Sequence, residues 1–506
     1  MKKIKKVILL LLVVAFAISF TNCASNDNSN DSPKITVSGE ASAVVENGIL
    51  SVTHSDDVVV TDITVDGSRI WLTDNKYDLS NSATANKIKI HTAEKTDFSD
   101  VKSIYSVLLS VFDSDTNSYS VTWHTNELFS SKVVLESSNN PNSVEITPYC
   151  DEGNGDYVNR AVFYDLDYAA EYTYKIVDSN NDTIYSSSFK AYDNNSNELT
   201  FMHISDTQDE EYNGEIWSKL MSDAYSHTDE LDFIVHTGDM VQYGGDEEQW
   251  KKMLGNVSDY VSTVPTMLTS GNHSYWSDYT KGQSSIEYNH TTVNLPEQNT
   301  KKGIYYSFDA GDVHFAVLSS GDSESDGVGR KQREWLKTDL ASTDKKWKIV
   351  AIHNPLYSPG KYGSSKDRNK VALSQQKKLG EIFNEYSVDL VLEGHDHSFA
   401  LTKPMNENNE PTNCEMITKT INNNQAEVFI KPSAPIYLMS AAGGNQNREV
   451  VDTYEPSWFV EAQSIPDNNA GYSIIKVSPN KLTATFYEYN YSNNSTTSTF
   501  TWSIEK

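Results

Sequence analysis

From residue 199 onward the sequence alternates short apolar runs with amphipathic stretches, and that alternation restricts this part of the chain to a layered α/β domain. The apolar runs are Thr200–Ser205, Leu231–Thr237, Thr263–Ser270, Trp347–His353, Val388–Glu393 and Pro435–Ala441. Between them the periodicity predicts helices at Gly214–Ser226, Glu247–Val257, Gly329–Leu340 and Ser374–Tyr386. Tyr305–Asp309 and Val313–Ser319 flank Ala310-Gly311-Asp312 and read as a hairpin that interrupts the alternation. Residues 472–504 return to strands, while the Asn/Thr-rich stretches 405–425 and 490–498 read as surface loops.

The texture before residue 199 is different. Residues 34–102 alternate polar and apolar side chains between Asp and Gly turns, as in Val58–Val65, and read as a small β-rich segment. Residues 103–195 continue with short strands at roughly regular spacing, the pattern of a β-sandwich. The expected architecture is therefore all-β sandwich modules followed by an α/β (α+β) domain over residues 198–506.

The residues at the end of each apolar run carry the chemistry. Thr200–Ser205 runs into Asp206-Thr207-Gln208, Leu231–Thr237 into Gly238-Asp239, and Thr263–Ser270 into Gly271-Asn272-His273. Trp347–Ile352 ends at His353, Val388–Glu393 runs into Gly394-His395-Asp396-His397, and the last strand into Ala442-Gly443-Gly444. In an α/β domain ligands bind beyond the carboxyl ends of the strands, so these side chains converge on one rim. Carboxylate, amide and imidazole ligands without thiolate suit Zn, Mn, Fe or Mg. A carboxylate has two oxygens and can bridge two metals; two metals about 3.5–4 Å apart clamp an in-line displacement at phosphorus and activate a water between them.

Taken together, Asp206-x-Gln208, Gly238-Asp239, Gly271-Asn272-His273, Val350-x-x-His353 and Gly394-His395-x-His397 resemble the calcineurin-like metallophosphoesterase superfamily. More narrowly they are similar to its bacterial purple-acid-phosphatase-like branch, in which a fibronectin-III-like domain precedes the catalytic one; residues 103–195 suit that place. The resemblance implies a sandwich of two β-sheets flanked by helices and a centre of two metal ions that hydrolyses a small phosphate ester. It implies Asp206 and His397 on metal 1, Asp239 bridging, Asn272, His353 and His395 on metal 2, and His273 as the acid that protonates the leaving oxygen. Residues 34–102 lie outside it.

The sequence departs from that pattern in three places. Purple acid phosphatases place a metal-binding Tyr three residues after the bridging Asp; here that position is Gln242, and Tyr243 comes one later. Metal 1 is then completed by the amide oxygen of Gln208 or by water. Ser274 stands where an acid commonly follows Gly-Asn-His. No histidine follows in Ser358–Lys370, although Lys361, Lys366 and Arg368 there are able to neutralise phosphate. Tyr243, Lys361 and Arg368 are the candidate substrate contacts.

The N-terminus carries an address. A basic start, Lys2-Lys3-Ile4-Lys5-Lys6, precedes the nearly apolar Val7–Phe20, then Cys23 and the polar linker 23–33. This resembles a bacterial lipoprotein signal over residues 1–22, with Cys23 as the lipidated residue, although Asn22 replaces the usual small residue before the cysteine. The expectation is export, with a lipid anchor at the cell envelope; cleavage into a secreted form and an uncleaved anchor are the alternatives.

Charge and cysteine count narrow the remaining classes. Asp and Glu number 70 against 41 Lys and Arg, a net charge of −29, which repels a phosphate backbone and makes nucleic-acid binding unexpected. With three cysteines there is no disulfide framework, and Cys150 and Cys414 read as separate thiols. His203, His236 and His314 read as core groups with satisfied ring nitrogens, and the acidic runs 209–211 and 246–248 as helix starts. Two alternatives stand beside the phosphatase: a phosphodiesterase or nucleotidase on the same site, and a surface binding lipoprotein with a vestigial metal centre.

Overall fold

The computed structural model describes residues 34–38, 41–54, 58–65, 68–69, 76–79, 87–94, 104–113, 116–127, 131–140, 143–146, 148–152, 157–209, 214–275, 291, 293–296, 305–321, 327–360, 370–422, 424–452 and 454–506. Cys23, Lys361, Lys366 and Arg368 lie outside the described residues, as does the whole address segment.

Two large sheets stack to form the C-terminal part. One has eight strands, in the order Thr266–Leu268, Phe233–His236, Leu199–Ile204, Asn469–Ser478, Lys481–Asn490, Ser495–Glu505, Asn424–Ile430 and Glu415–Ile421. The other has seven, in the order Tyr306–Ala310, Val313–Leu318, Trp347–Ile352, Leu390–Glu393, Ile436–Ser440, Phe399–Thr402 and Phe459–Gln463. Phe201, Phe233, Phe315, Phe399, Phe486 and Trp502 fill the space between the sheets. The inner strands, buried on both faces, are the apolar runs of the sequence.

Helices cover the outer faces. Glu215–His227 and Glu247–Asn256 place Trp217, Leu220, Trp250 and Leu254 against the first sheet. Arg330–Ser342 and Lys370–Glu385 place Leu336, Leu340, Leu379 and Phe383 against the second. The second helix starts where the acidic run predicts: Asp246 caps it by accepting from the Glu248 N–H (3.1 Å), and Glu247 and Glu248 occupy the positive end of the dipole.

The hairpin forms with Ala310 paired to Val313. The two stretches expected to be surface loops are corrected. Glu415–Ile421 is the edge strand of the large sheet, and the strands Lys481–Asn490 and Ser495–Glu505 take in Asn490 and residues 495–498, leaving only 491–494 as the turn between them. Their polar residues are the solvent side of antiparallel strands covered on one face only, so no apolar run marks them. The third core strand shrinks to Thr266–Leu268, because Pro265 before it has no N–H to contribute to a ladder.

The N-terminal part is all β. Ile104–Lys190 forms two four-stranded sheets around Trp123, Leu135, Phe163, Tyr174 and Phe189. Lys34–Glu94 adds a four-stranded and a three-stranded sheet around Leu50, Ile63, Ile88 and Ile90. The first of these units caps the open edge of the eight-stranded sheet: Ser110 Oγ donates to the Thr266 carbonyl (3.1 Å), and Tyr174 Oη to that of Ser262 (2.8 Å). His124, fully buried, pairs with Glu247 across the same junction at 3.3 Å. Cys150 is buried and Cys414 half-buried, and no disulfide joins the two.

Candidate metal centre

The site is built at the carboxyl ends of the strands that pair in parallel. Asp206 follows Leu199–Ile204, Asp239 follows Phe233–His236, and His353 follows Trp347–Ile352. His395 and His397 follow Leu390–Glu393, and Asn272 and His273 follow Thr266–Leu268. To turn from strand to rim within a few residues, four of these side chains take left-handed backbone: Asp206 (φ 52°), Asp239 (53°), His395 (73°) and His397 (48°). Such residues each cost on the order of 1–3 kcal/mol and persist only where their surroundings hold them. Gly238 must precede Asp239: its φ is +98°, and a Cβ there would lie 2.7 Å from His353 Nδ1.

Hydrogen bonds hold the strained turns. The Asp206 N–H donates to the Gly238 carbonyl (3.0 Å), and the Gln208 N–H to that of Asp239 (3.1 Å). The His395 N–H donates to Asp206 Oδ2 (2.8 Å). Arg448 Nη1 donates to the His395 carbonyl (2.7 Å), and its N–H reaches the His397 carbonyl at 3.4 Å.

Asp239, His353 and His395 offer ligand atoms all within 4.8 Å of one another. His353 Nδ1 donates to the Thr237 carbonyl (2.7 Å), which turns Nε2 inward. There Nε2 meets Asn272 Oδ1 at 3.1 Å and Asp239 Oδ2 at 3.1 Å. A ring nitrogen facing two oxygens needs a cation between them, either a proton or a metal. Without metal the proton takes that place: burial disfavours the charged ring, but Asp239 outweighs it and raises the His353 pKa to about 9. Burial and the neighbouring His353 push His395 down to about 3, so it presents a neutral ring. Burial opposes ionisation of Asp239, yet His353 and His273 hold its carboxyl below the usual range.

A second cluster adjoins the first. Asp206 Oδ1 is buried without a hydrogen-bond partner and lies 3.2 Å from His397 Nε2. Gln208 is fully buried beside them. With its amide nitrogen donating to the Asp239 carbonyl (2.5 Å), its oxygen turns toward His397 Nε2. An orphaned carboxylate oxygen, an imidazole and an amide oxygen in one buried place fit a cation.

His273 adjoins the first cluster through Asp239. Its N–H donates to Asp239 Oδ1 (2.7 Å), its Nδ1 donates to the Gln242 carbonyl (2.7 Å), and its Nε2 is 3.8 Å from Asp239 Oδ2. His203 and His236 line the layer beneath, each with both ring nitrogens hydrogen-bonded, and burial pushes them to about 3 and about 4. Tyr243 is 41% exposed on the loop after Asp239. Gln446 and Arg448 join the rim without a motif of their own; the signal for them is the Gly443-Gly444 turn after Ile436–Ser440, which delivers the next residues to the same place.

The family model described as calcineurin-like phosphoesterase matches residues 199–399, the segment that supplies each of the ligand candidates above. Residues 199–399 are a calcineurin-like phosphoesterase domain. Relatives of this chain include purple acid phosphatase 21 of Arabidopsis thaliana, 27% identical over 244 residues, which cover 45% of this chain and 53% of that protein. Probable inactive purple acid phosphatase 24 of the same plant is 30% identical over 191 residues, 35% of this chain and 30% of that protein. The chain thus spans about half or less of the length of these relatives. Among solved structures, the purple acid phosphatase PPD1 from yellow lupin (Lupinus luteus) seeds aligns with a TM-score of 0.65 at 18% identity, covering 94% of this chain and 95% of that one. A structure of PhoD aligns with a TM-score of 0.56 at 15% identity, covering 78% and 91%. At such identities these two likenesses concern the fold. The phosphoesterase family implies divalent metal ions, and the two clusters have the donor chemistry to hold them.

Proposed function

We propose that the chain is an exported, metal-dependent phosphoric ester hydrolase of purple-acid-phosphatase type with two metal ions. The observation that carries this reading is the meeting of Asp239, His353 and His395 within 4.8 Å, beside the orphaned Asp206 Oδ1. Asn272, His353 and His395 would hold one ion and Asp206, His397 and Gln208 the other, with Asp239 between them. Bound there, divalent ions supply Lewis-acid chemistry, lowering the pKa of water and neutralising charge on phosphoryl oxygens.

The chain's own residues then have distinct tasks. Thr237 and Gln446 carbonyls set which nitrogen of His353 and His397 is free to ligate. The Gln242 carbonyl engages His273 Nδ1, so Nε2 is the atom that passes a proton to the departing oxygen. Tyr243, exposed beside this histidine's loop, is placed to touch the organic part of an ester. Lys361 and Arg368 are proposed phosphate contacts. In this reading the N-terminal signal exports the protein and Cys23 anchors it to membrane.

The test is a phosphate-release screen over monoesters, diesters and nucleotides with Mn, Zn, Fe and Mg, run beside Asp239→Ala. Release by the wild type that Asp239→Ala abolishes together with metal content supports the hydrolase. The relatives include proteins described as probable inactive, which keeps a vestigial-centre binder as the second reading. A wild-type protein that holds no metal and releases no phosphate would establish it.

A further inference from the structure

The two histidines on opposite sides of the proposed centre are joined by a chain of hydrogen bonds that avoids every ligand atom of the metal clusters. It starts at His397, whose Nδ1 donates to the Gln446 carbonyl. The side-chain amide of Gln446 donates to Gln242 Oε1 across 2.7 Å, over a separation of 204 residues. The Gln242 carbonyl in turn accepts from His273 Nδ1, also at 2.7 Å. Each carbonyl is an acceptor only, so both Nδ1 atoms must carry protons and both Nε2 atoms face the rim.

We propose that the Gln446–Gln242 side-chain bridge is a positioning device: it holds the Gln242 carbonyl against His273 and so ties the tautomer and aim of that histidine to the segment that fixes His397. Gln242 sits between strand Phe233–His236 and helix Glu247–Asn256, and Gln446 on the loop after Ile436–Ser440. These elements belong to different sheets, and the bridge joins their loops directly, side chain to side chain. Both glutamines are half-buried, where an amide pair loses less to competing water than at the surface. The neighbouring Arg448, donating to the carbonyls of His395 and His397, anchors the Gln446 end. Gln242 is thereby a residue acting through His273 and not a ligand: its side-chain oxygen is turned to Gln446.

This inference rests on the hydrolase reading for its consequence in rate, but not for its consequence in structure. The full chain would be compared with Gln446→Leu, Gln242→Leu, the double variant and Gln242→Glu, whose carboxylate still accepts from the Gln446 amide. The first readout is the His273 tautomer in protein labelled with 15N-histidine, its resonances assigned by their loss in His273→Asn. The wild type and Gln242→Glu should show the Nδ1–H form, and each Leu variant a mixture. The second readout is the ratio of kcat/KM for p-nitrophenyl phosphate to that for an alkyl phosphate, since only the alkyl ester needs a proton on its leaving oxygen. Each Leu variant should raise that ratio ~10-fold with metal content unchanged, within the ~10–100-fold range for residues that orient a ligand or catalytic group. The double variant should raise it no further, because the two side chains act through one bond. An unchanged tautomer, an unchanged ratio or multiplicative effects in the double variant would each overturn the proposal. A wild type without phosphate release counts against the hydrolase, and the tautomer still decides the bridge.

Discussion

His314 donates through Nε2 to Asp339 Oδ2 across 2.9 Å and so pins the helix Arg330–Ser342 to the second strand of the hairpin. Its Nδ1 donates to Asp309 Oδ1 at 2.7 Å, and two carboxylates on one ring require both N–H groups, the imidazolium. Burial disfavours that charge, but the bonds to Asp309 and Asp339 outweigh it and raise the pKa to about 9. The folded value lies above the unfolded value of ~6.5, so this stabilisation is complete below pH ~6.5 and is lost as pH rises through about 9. A displacement of that size corresponds to on the order of 3 kcal/mol. Thermal unfolding should show His314→Gln well below the wild type at pH 6, with the gap closing by pH ~9.5. A gap independent of pH would mean that the ring is neutral and the triad contributes no charge.

In the proposed mechanism His273 gives a proton and does not hold metal. General acid assistance is worth ~10²–10⁴-fold. His273→Ala should therefore retain its metal, lose a factor in that range on alkyl phosphates, and lose far less on p-nitrophenyl phosphate, whose leaving anion is stable. Equal losses on the two esters in metal-replete protein would leave His273 as a phosphate-binding group.

The residue three after Asp239 is a neutral amide turned toward Gln446, and Tyr243, one later, has its N–H on Gln249 Oε1 at 3.0 Å and is 41% exposed. The position at which purple acid phosphatases carry their metal-binding tyrosine is thus held by Gln242, with Tyr243 out of register. Iron-loaded protein should accordingly lack the intense visible band of a tyrosinate–iron(III) pair. An intense band that disappears in Tyr243→Phe would show that the loop rearranges on binding iron.

Cys23 follows a basic and then apolar N-terminal stretch. If it carries diacylglycerol, the wild type should partition into detergent, and Cys23→Ser should accumulate as an unprocessed or soluble form. A mature chain whose intact mass contains no acyl groups would remove the anchor from the proposal.

The positions of Asp206, Asp239, Asn272, His273, His353, His395 and His397 at strand ends were legible in the sequence because the step from a buried strand to the next residue is local. An apolar run must be buried, its end must leave the sheet, and a glycine such as Gly238 marks where it turns sharply. The four helices were legible for the same reason, since each shows its buried stripe within one segment. The edge strand Glu415–Ile421 and the outer end of Ser495–Glu505 were not, because their polar faces look like loop and the parallel pairing of Asn424–Ile430 with Ser495–Glu505, which ties them into one sheet, joins segments far apart in the chain. The Gln446–Gln242 bridge, the His314 triad with Asp309 and Asp339, and the pairing of His124 with Glu247 were likewise decided by tertiary structure alone. Each joins side chains from separate elements. A hydrogen bond forms only within about 3 Å and a narrow range of angles, and no local pattern of residue types encodes the relative placement of two loops to that tolerance.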